Sequence, residues 1–262
     1  MKLNKLTASL MAASVMAFAS GAQAVTVAGV TWNENSVFDF TSLSSLYETI
    51  GIAVGDEFSG YGEILSMNGS TTFCANCELT YEFGGYVLTT AATSTTVPNN
   101  AFVAEGGWLK VYVQNISDAS FTLFDPEVKS TATDGTLWLS LVGSSTFLES
   151  EGYAEGSTLI GTVTVPNSVG ASGEGSGYFD VIGGLAAAHL DTNTQPGGAD
   201  FTYTSDFQPF GTLENDGVIV ATHTGDNTVR GETRVVPEPA TLALLGLGLV
   251  GLGLARRNKK VA

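Results

Sequence analysis

The sequence is short of basic residues, and this shortage excludes one class of partner. Its 262 residues include only 10 lysines and arginines against 26 aspartates and glutamates. Six of the ten basic residues lie near the two ends, which leaves four for the interior, whereas 25 of the 26 acids lie between residues 25 and 235. A protein that binds nucleic acid needs a basic face to displace phosphate counterions. The acidic interior therefore excludes a nucleic-acid partner.

Common catalytic signatures are also missing. Between residues 25 and 235 there is no G-x-S-x-G, no H-E-x-x-H and no P-loop. The chain has two histidines, His189 and His223, which are far apart in the sequence. A single histidine in an alanine-rich or alternating apolar segment is more often a packed or surface residue than a catalyst. We therefore expect a protein that is not an enzyme and that needs no cofactor.

Paired acids leave one catalytic alternative, because two carboxylates suffice for glycoside hydrolysis. The candidate pairs are Asp56/Glu57, Glu149/Glu151 and Asp191/Asp200. With 25 acids in this stretch some pairs arise by chance, so we interpret them as a solvated acidic surface. Calcium binding is the functional alternative, but the segment that begins like an EF-hand loop at Asp191 has Pro196 where that loop needs glycine. We expect no metal site.

The N-terminus predicts a secretory signal peptide over residues 1–24. A lysine-containing start precedes a short apolar run over residues 6–18, and Ala22 and Ala24 form a small-x-small cleavage site. The run is shorter than the ~17 to 25 residues of a membrane-spanning helix. We expect signal peptidase to cut after Ala24, so that the mature chain begins at Val25.

A longer apolar segment, residues 240–255, lies close to the C-terminus. As a helix it would rise about 24 Å, slightly less than the ~30 Å hydrocarbon core of a bilayer, so it predicts a short transmembrane helix. A basic cluster that acts as a cytoplasmic stop follows it: Arg256, Arg257, Lys259 and Lys260. Because positive charge beside a span stays cytoplasmic, the rest of the chain is expected outside the inner membrane.

The tripeptide Pro237-Glu238-Pro239 stands just before this span. Neither proline fits a strand ladder, so the tripeptide is expected to be extended and accessible to a protease. Together with the span and the basic tail, it makes residues 236–262 resemble the PEP-CTERM sorting domain. The resemblance implies that an inner-membrane exosortase recognises this segment and cuts near the tripeptide, much as a GPI signal loses its apolar tail. The protein would then reach the cell surface or the extracellular matrix.

Residues 25–235 predict one β-rich extracellular domain, an all-β, antiparallel β-sandwich or barrel-like fold. Apolar and polar residues alternate with a period of two in residues 109–114, 137–141, 160–165 and 201–204. Turn signals separate such segments: Asn68-Gly69, Asp134-Gly135, Pro166-Asn167, Pro196-Gly197-Gly198 and Asp216-Gly217. Two short helices are expected over residues 42–49 and 185–190, and residues 169–177 are expected to form a glycine-rich loop.

Two further residue sets are candidate sites. Cys74 and Cys77 are the only cysteines, and export predicts a disulfide between them, with a zinc site or a redox pair as alternatives. Trp32, Trp108 and Trp138 are expected in the core, with stacking on sugars as the alternative. Leu137 and Leu139 flank Trp138, and in a strand they point to the opposite face, so the Trp138 ring would face outward if the two leucines face the core.

Residues 55–63 and 73–85 loosely resemble a segment that recurs in exported proteins with this sorting tail, some of them associated with exopolysaccharide, biofilm or floc formation. The resemblance implies a structural or adhesive component of the cell surface or matrix, with extracellular polysaccharide as a partner. A carbohydrate- or calcium-binding module and a secreted glycosidase remain alternatives.

Overall fold

The computed structural model describes residues 24–33, 40–90, 100–116, 121–122, 128–165, 168 and 170–234. Within these residues the strands are β1 (Ala24–Val27), β2 (Val30–Asn33), β3 (Phe40–Thr49), β4 (Glu57–Met67), β5 (Cys77–Thr90), β6 (Ala101–Asn115), β7 (Thr136–Gly143), β8 (Ser157–Val163), β9 (Gly173–Gly183), β10 (Phe201–Asn215) and β11 (Val218–Gly231). The helices are α1 (Val128–Thr133), α2 (Thr146–Ser150), α3 (Ala187–Leu190) and a 3-10 turn, Pro196–Gly198. The prediction of an all-β, antiparallel domain is confirmed.

Strands β3 to β11 form one antiparallel sheet that closes on itself. The order is β10, β11, β3, β4, β5, β6, β7, β9, and β9 then pairs with β10. Strands β7 and β8 lie end to end between β6 and β9, because the first part of β6 pairs with β8 and the later part with β7. Each cross-section of this closed sheet therefore has eight strands, whose interior holds packed side chains or one small ligand.

The interior is packed by aromatic rings that face glycines on neighbouring strands. Gly62 pairs with Tyr81, and a Cβ atom on Gly62 would overlap the Tyr81 ring. The same arrangement recurs in the pairs Gly60–Phe83, Gly161–Phe102, Gly173–Phe207, Gly177–Tyr203 and Gly231–Phe201. Glycine by itself weakens a strand, but here the opposite ring covers its backbone. This pairing explains how strands so rich in glycine bury a continuous core.

The β1–β2 hairpin packs against the same core. Trp32 of β2 meets Trp138 of β7 edge to face, with ring centroids 5.7 Å apart. The Trp138 indole N–H donates to the carbonyl of Val27 at 3.1 Å, and the Trp32 indole N–H donates to the Thr233 hydroxyl at 2.9 Å. Two buried aromatic residues thus connect the hairpin to the closed sheet and to the segment after β11.

Several local predictions are confirmed. The four alternating segments lie in β6, β7, β8 and β10, and α3 lies within the helix predicted over residues 185–190. The Asn68-Gly69 and Asp216-Gly217 turns have positive φ at both residues, as two-residue hairpin turns require. The predicted Pro166-Asn167 turn lies outside the described residues, as do the sorting segment over 236–262 and the signal peptide except for Ala24.

Two local predictions are wrong. Residues 42–49 form no helix, because they are the greater part of β3, which pairs with β11 on one side and β4 on the other. Ladder bonds on both edges outweigh the weak helical preference of so short a segment. The expected loop over residues 169–177 is also partly wrong, since residues 173–177 begin β9. Gly173 and Gly177 face the rings of Phe207 and Tyr203 across the sheet, and Gly175 faces Leu159 and Ser205, so these glycines are part of the sheet and not flexible joints.

Candidate functional site

The acids proposed as catalytic pairs are used by the fold to hold loops. Asp200 is buried, and its carboxylate accepts backbone N–H bonds from Val181 at 2.7 Å and from Thr192 and Asn193 at 2.6 Å each. The carboxylate therefore fixes the loop after α3 to β9. Asp191 accepts a bond from the Asn193 side-chain amide at 3.0 Å in the same loop.

Three acids of the other two pairs are used in the same way. Asp56 accepts from the backbone N–H groups of Ala53 and Ile52, and these bonds hold the pKa of Asp56 below its usual value. Glu57 accepts from the N–H of Gly85 at 2.8 Å, and Glu149 accepts from the N–H of Gly156 at 2.9 Å, which likewise lowers the Glu149 pKa. All three carboxylates are therefore engaged in hydrogen bonds with backbone N–H groups.

The structure brings the predicted cysteine pair together. The sulfur atoms of Cys74 and Cys77 lie at bonding distance, with their Cα atoms 5.1 Å apart. Cys77 is the first residue of β5, and Cys74 forms an isolated bridge with Val30 of β2. The pair therefore closes the short turn on which the β1–β2 hairpin rests. Within the described ranges, no group of three or more histidines, cysteines and acids is placed to hold a metal ion.

The tryptophans provide no open stacking face. Trp32 and Trp138 are buried, as expected for core residues, so the alternative of an outward Trp138 is wrong. The reason is a bulge: Val111 pairs with Leu139 and the next residue of β6 pairs with Leu137, which leaves Trp138 as the extra residue. Trp108 is half-buried, with its ring on one side against Gly85 and the Lys110 ammonium 4.7 Å from its centroid.

Both histidines are packed residues, as expected. His223 is fully buried, its ring nitrogens lie 2.8 Å from the Thr222 hydroxyl and 3.1 Å from the Ala171 carbonyl, and burial lowers its pKa. His189 is half-buried, with its ring centroid 6.1 Å from that of Trp32. The two imidazoles therefore belong to different parts of the core.

A groove of about 440 Å³ lies on the outer face of the sheet, where β6, β8, β9 and β10 meet, and we call it the outer groove. Tyr153, from the loop after α2, lines it and is about one-third exposed. The polar side chains that line it are Thr162, Glu174, Ser176, Thr204 and Ser205. Thr162 pairs with Glu174 across β8 and β9, and Ser176 pairs with Thr204 across β9 and β10. The volume lies in the range of small-molecule sites.

A separate cavity of about 60 Å³ lies inside the closed sheet, and we call it the central cavity. Aromatic rings from several strands line it: Phe58, Phe83, Phe102, Phe179 and Phe207. Four of its lining residues with polar side-chain atoms are buried, namely Glu48, Tyr81, Tyr86 and Tyr203. One Glu48 carboxyl oxygen makes no hydrogen bond within the described residues, and the Tyr86 and Tyr203 hydroxyls interact with each other.

The Glu48 carboxyl is the most perturbed acid of this interior. It is 7% exposed, and burial, followed by the negative charge of Asp206, raises its pKa from 4.5 to about 8. Burial also raises the pKa of Tyr86 and of Tyr203. By contrast, the Tyr81 hydroxyl beside them donates to the Ser45 carbonyl at 2.9 Å and accepts from Asn227 at 2.5 Å. The Glu48 carboxyl oxygen is thus the atom of this lining that has no partner within the described residues.

Sequence analysis did not identify these two sites. Tyr153 follows a five-residue helix with no motif around it, and Glu48 lies in a segment expected to be a helix. Residues 44–48 do not alternate between polar and apolar side chains, so no local pattern indicated that Ser44, Leu46 and Glu48 would be buried.

Similarity to known proteins is found in the C-terminal segment of the chain. The PEP-CTERM protein-sorting motif matches residues 235–259, which include Pro237, Glu238, Pro239, the apolar segment and most of the basic cluster. No curated protein and no solved structure matches the chain. Among the residues that the structure describes, no helix is both long and apolar enough to span a membrane. The span predicted over residues 240–255 lies outside those residues.

The motif match covers the residues on which the resemblance was based, and it shows that the segment is a sorting signal. Such a signal implies export, passage through the membrane and recognition by exosortase. The chain carries a PEP-CTERM protein-sorting motif over residues 235–259, and this motif implies an exported protein that is processed by exosortase.

Proposed function

We propose that this exported protein is a non-catalytic, adhesive component of the cell surface or extracellular matrix, and that its outer groove binds neutral exopolysaccharide. The observation that carries the proposal is the outer groove itself. It combines an exposed tyrosine ring with hydroxyl groups and one carboxylate on four adjacent strands.

The chemistry of this lining suits sugars. An aromatic ring offers an apolar face to the C–H groups of a pyranose, while hydroxyl and carboxylate oxygens accept hydrogen bonds from sugar hydroxyls. Thr162, Ser176 and Thr204 project from paired strands, so their positions are fixed by the ladder rather than by a flexible loop. A rigid strand face is the kind of scaffold on which an extended polymer can lie.

Charge narrows the class of polysaccharide. Glu174 is exposed in the outer groove, and the chain between residues 25 and 235 has 25 acids against four basic residues. A polymer rich in uronic acid or sulfate would be repelled by this field. Neutral hexose or N-acetylhexosamine polymers carry no such penalty.

The non-catalytic part of the proposal is supported by what the acids do. Asp56, Glu57, Glu149 and Asp200 accept backbone hydrogen bonds that hold loops in place. A carboxylate committed in this way would have to give up a structural bond in order to act as an acid or a nucleophile.

Affinity electrophoresis of the exported, processed protein through gels that contain a neutral polysaccharide tests the proposal. We expect the polymer to retard the wild type, and Tyr153→Ala to reduce the retardation at least tenfold in apparent affinity. Tyr112→Ala is the matched control, because Tyr112 is a half-exposed tyrosine at the other end of β6. Equal retardation of the wild type and Tyr153→Ala would exclude the outer groove as the binding site.

A further inference from the structure

The interior of the closed sheet contains a carboxyl oxygen that the fold does not satisfy. Glu48, Tyr86 and Tyr203 come from β3, β5 and β10 and line the central cavity. The two tyrosine hydroxyls interact with each other, whereas one buried oxygen of the Glu48 carboxyl makes no hydrogen bond within the described residues. An unpartnered buried polar atom costs free energy, and structures usually pair such atoms with protein, water or a ligand. The Glu48 oxygen on the wall of an aromatic cavity therefore indicates an occupant.

Smaller spaces extend the central cavity in both directions. One of about 20 Å³ shares Tyr81, Leu109 and Val229 with it and lies toward Trp138. Another of about 20 Å³ shares Phe58 and Phe207 with it and lies toward Ala171. The spaces follow one another inside the sheet, so an occupant with a short chain fits better than a round one.

The charged groups around the central cavity determine which ligand charge it favours. Glu48 has the carboxylate of Asp206 as its next electrostatic neighbour, and no lysine or arginine of the described residues lines the cavity. Asp206 is itself exposed and does not line the cavity, so the negative potential inside this apolar site comes from the ionised Glu48 carboxylate. Aromatic faces, such as those of Phe58, Phe83 and Phe207, add to the attraction of a cation.

We propose that the central cavity is a binding site for a small primary amine in its ammonium form, with Glu48 as the counter-ion and the aromatic rings around its short apolar chain. The ammonium group has three N–H donors and no acceptor, which matches a carboxylate and hydroxyl oxygens. On binding, Glu48 releases its proton to solvent and accepts a charge-assisted N–H bond at the oxygen that has no partner.

Size limits the ligand and its affinity. The central cavity of about 60 Å³ and the two adjoining spaces of about 20 Å³ each are together smaller than the ~150 Å³ cavity known to take up benzene, so an amine of about four heavy atoms that extends into those spaces is the upper size. Such a ligand binds no tighter than a dissociation constant on the order of 10⁻⁵ M, given the affinity that each atom can supply. Propylammonium is therefore the probe, and 1-propanol is its neutral counterpart of the same shape.

Isothermal titration calorimetry of the exported, processed protein with each probe at pH 9 tests the site. We expect saturable binding of propylammonium, at least tenfold weaker binding of 1-propanol, and at least tenfold weaker binding of propylammonium to Glu48→Gln. Between pH 9 and pH 6 the wild-type affinity should fall about 100-fold, because the ligand must displace a proton from Glu48, whereas that of Glu48→Gln should change little.

The Glu48→Gln comparison isolates one group. Asp206 on β10, His223 on β11 and Tyr81 on β5 face or adjoin Glu48, and all three remain in the variant. Circular dichroism and urea melts establish that the variant is folded, and Tyr203→Phe provides a second variant that removes the hydroxyl beside Tyr86 on the cavity wall. Tyr153→Ala should bind propylammonium like the wild type, so the result is independent of the outer groove.

Three results would overturn the proposal. The first is equal affinity for propylammonium and 1-propanol, which would show that charge plays no part. The second is unchanged binding to a folded Glu48→Gln, and the third is no binding of either probe up to 50-fold above the ~10⁻⁵ M limit.

Discussion

Replacing Glu48 with glutamine should change the pH dependence of stability in a way that no exposed acid of this chain can reproduce. Glu48 is 7% exposed, and its pKa is about 8 in the folded protein against 4.5 for an ordinary glutamate. Below pH 4.5 both the folded and the unfolded chain hold the proton, so Glu48 contributes no pH-dependent term. Between pH 4.5 and 8 the unfolded chain ionises while the folded chain does not, and the wild type loses stability as the pH rises.

The size of this loss follows from the shift. A difference of about 3.5 pKa units corresponds to about 5 kcal/mol, spread at about 1.4 kcal/mol per pH unit and complete near pH 8. Glutamine has nearly the same shape and does not titrate, so Glu48→Gln lacks this term. Acids with lowered pKa values, such as Asp56 and Glu149, instead add stability as the pH rises. They are present in both the wild type and the variant, so their contribution cancels in the comparison.

Urea unfolding of the wild type and Glu48→Gln at pH 5, 6, 7, 8 and 9 measures the pH-dependent contribution of Glu48 to the free energy of unfolding. We expect the free energy of unfolding of the variant minus that of the wild type to rise by several kcal/mol from pH 5 to pH 8 and then to level off. A constant offset is allowed, because the glutamine amide makes different bonds. Parallel curves over the whole range would refute the assignment of Glu48 as a buried neutral acid.

Three further outcomes are expected. Intact-mass analysis of the exported protein from an exosortase-bearing host should give a chain that begins at Val25 and lacks the segment from about residue 240; a mass that includes residues 242–254 would contradict processing. Gly62→Ala should lower the free energy of unfolding by about 1–3 kcal/mol in urea melts, since its Cβ would overlap Tyr81, whereas Gly183→Ala has open space and should change it by less than about 0.5 kcal/mol. Cys74→Ala should cost about 2 kcal/mol or less in thermal melts, because the C-x-x-C loop is very short; complete unfolding on reduction would point to a larger role.

Particular residues show where sequence reasoning held. The alternation in residues 109–114 and 137–141 predicted strands because a half-buried strand exposes every second side chain, and both segments lie in strands. Trp138 is buried as expected, but the alternation left an outward ring as an alternative, because a period-two pattern cannot reveal a bulge that depends on the register with β6.

The sequence alone determined which C-terminal sorting signal the chain carries. A sorting tail acts as a short linear segment, so Pro237, Glu238, Pro239 and the basic cluster can be interpreted without a fold, and the motif match at residues 235–259 agrees. The signal peptide with Ala22 and Ala24 is likewise a linear pattern, and its cleavage stays a prediction. The strand-rich composition likewise predicted an all-β domain.

Only the tertiary structure decided what the domain encloses. Closure depends on the pairing of β9 with β10 and on β7 and β8 sharing one position, which are contacts between segments far apart in the chain. Those contacts turn Glu48, Tyr86 and Tyr203 toward one cavity and place Tyr153 beside Glu174 in the outer groove. Local patterns specify which face of a strand a residue occupies, but the partner across the interior is fixed only when the sheet closes.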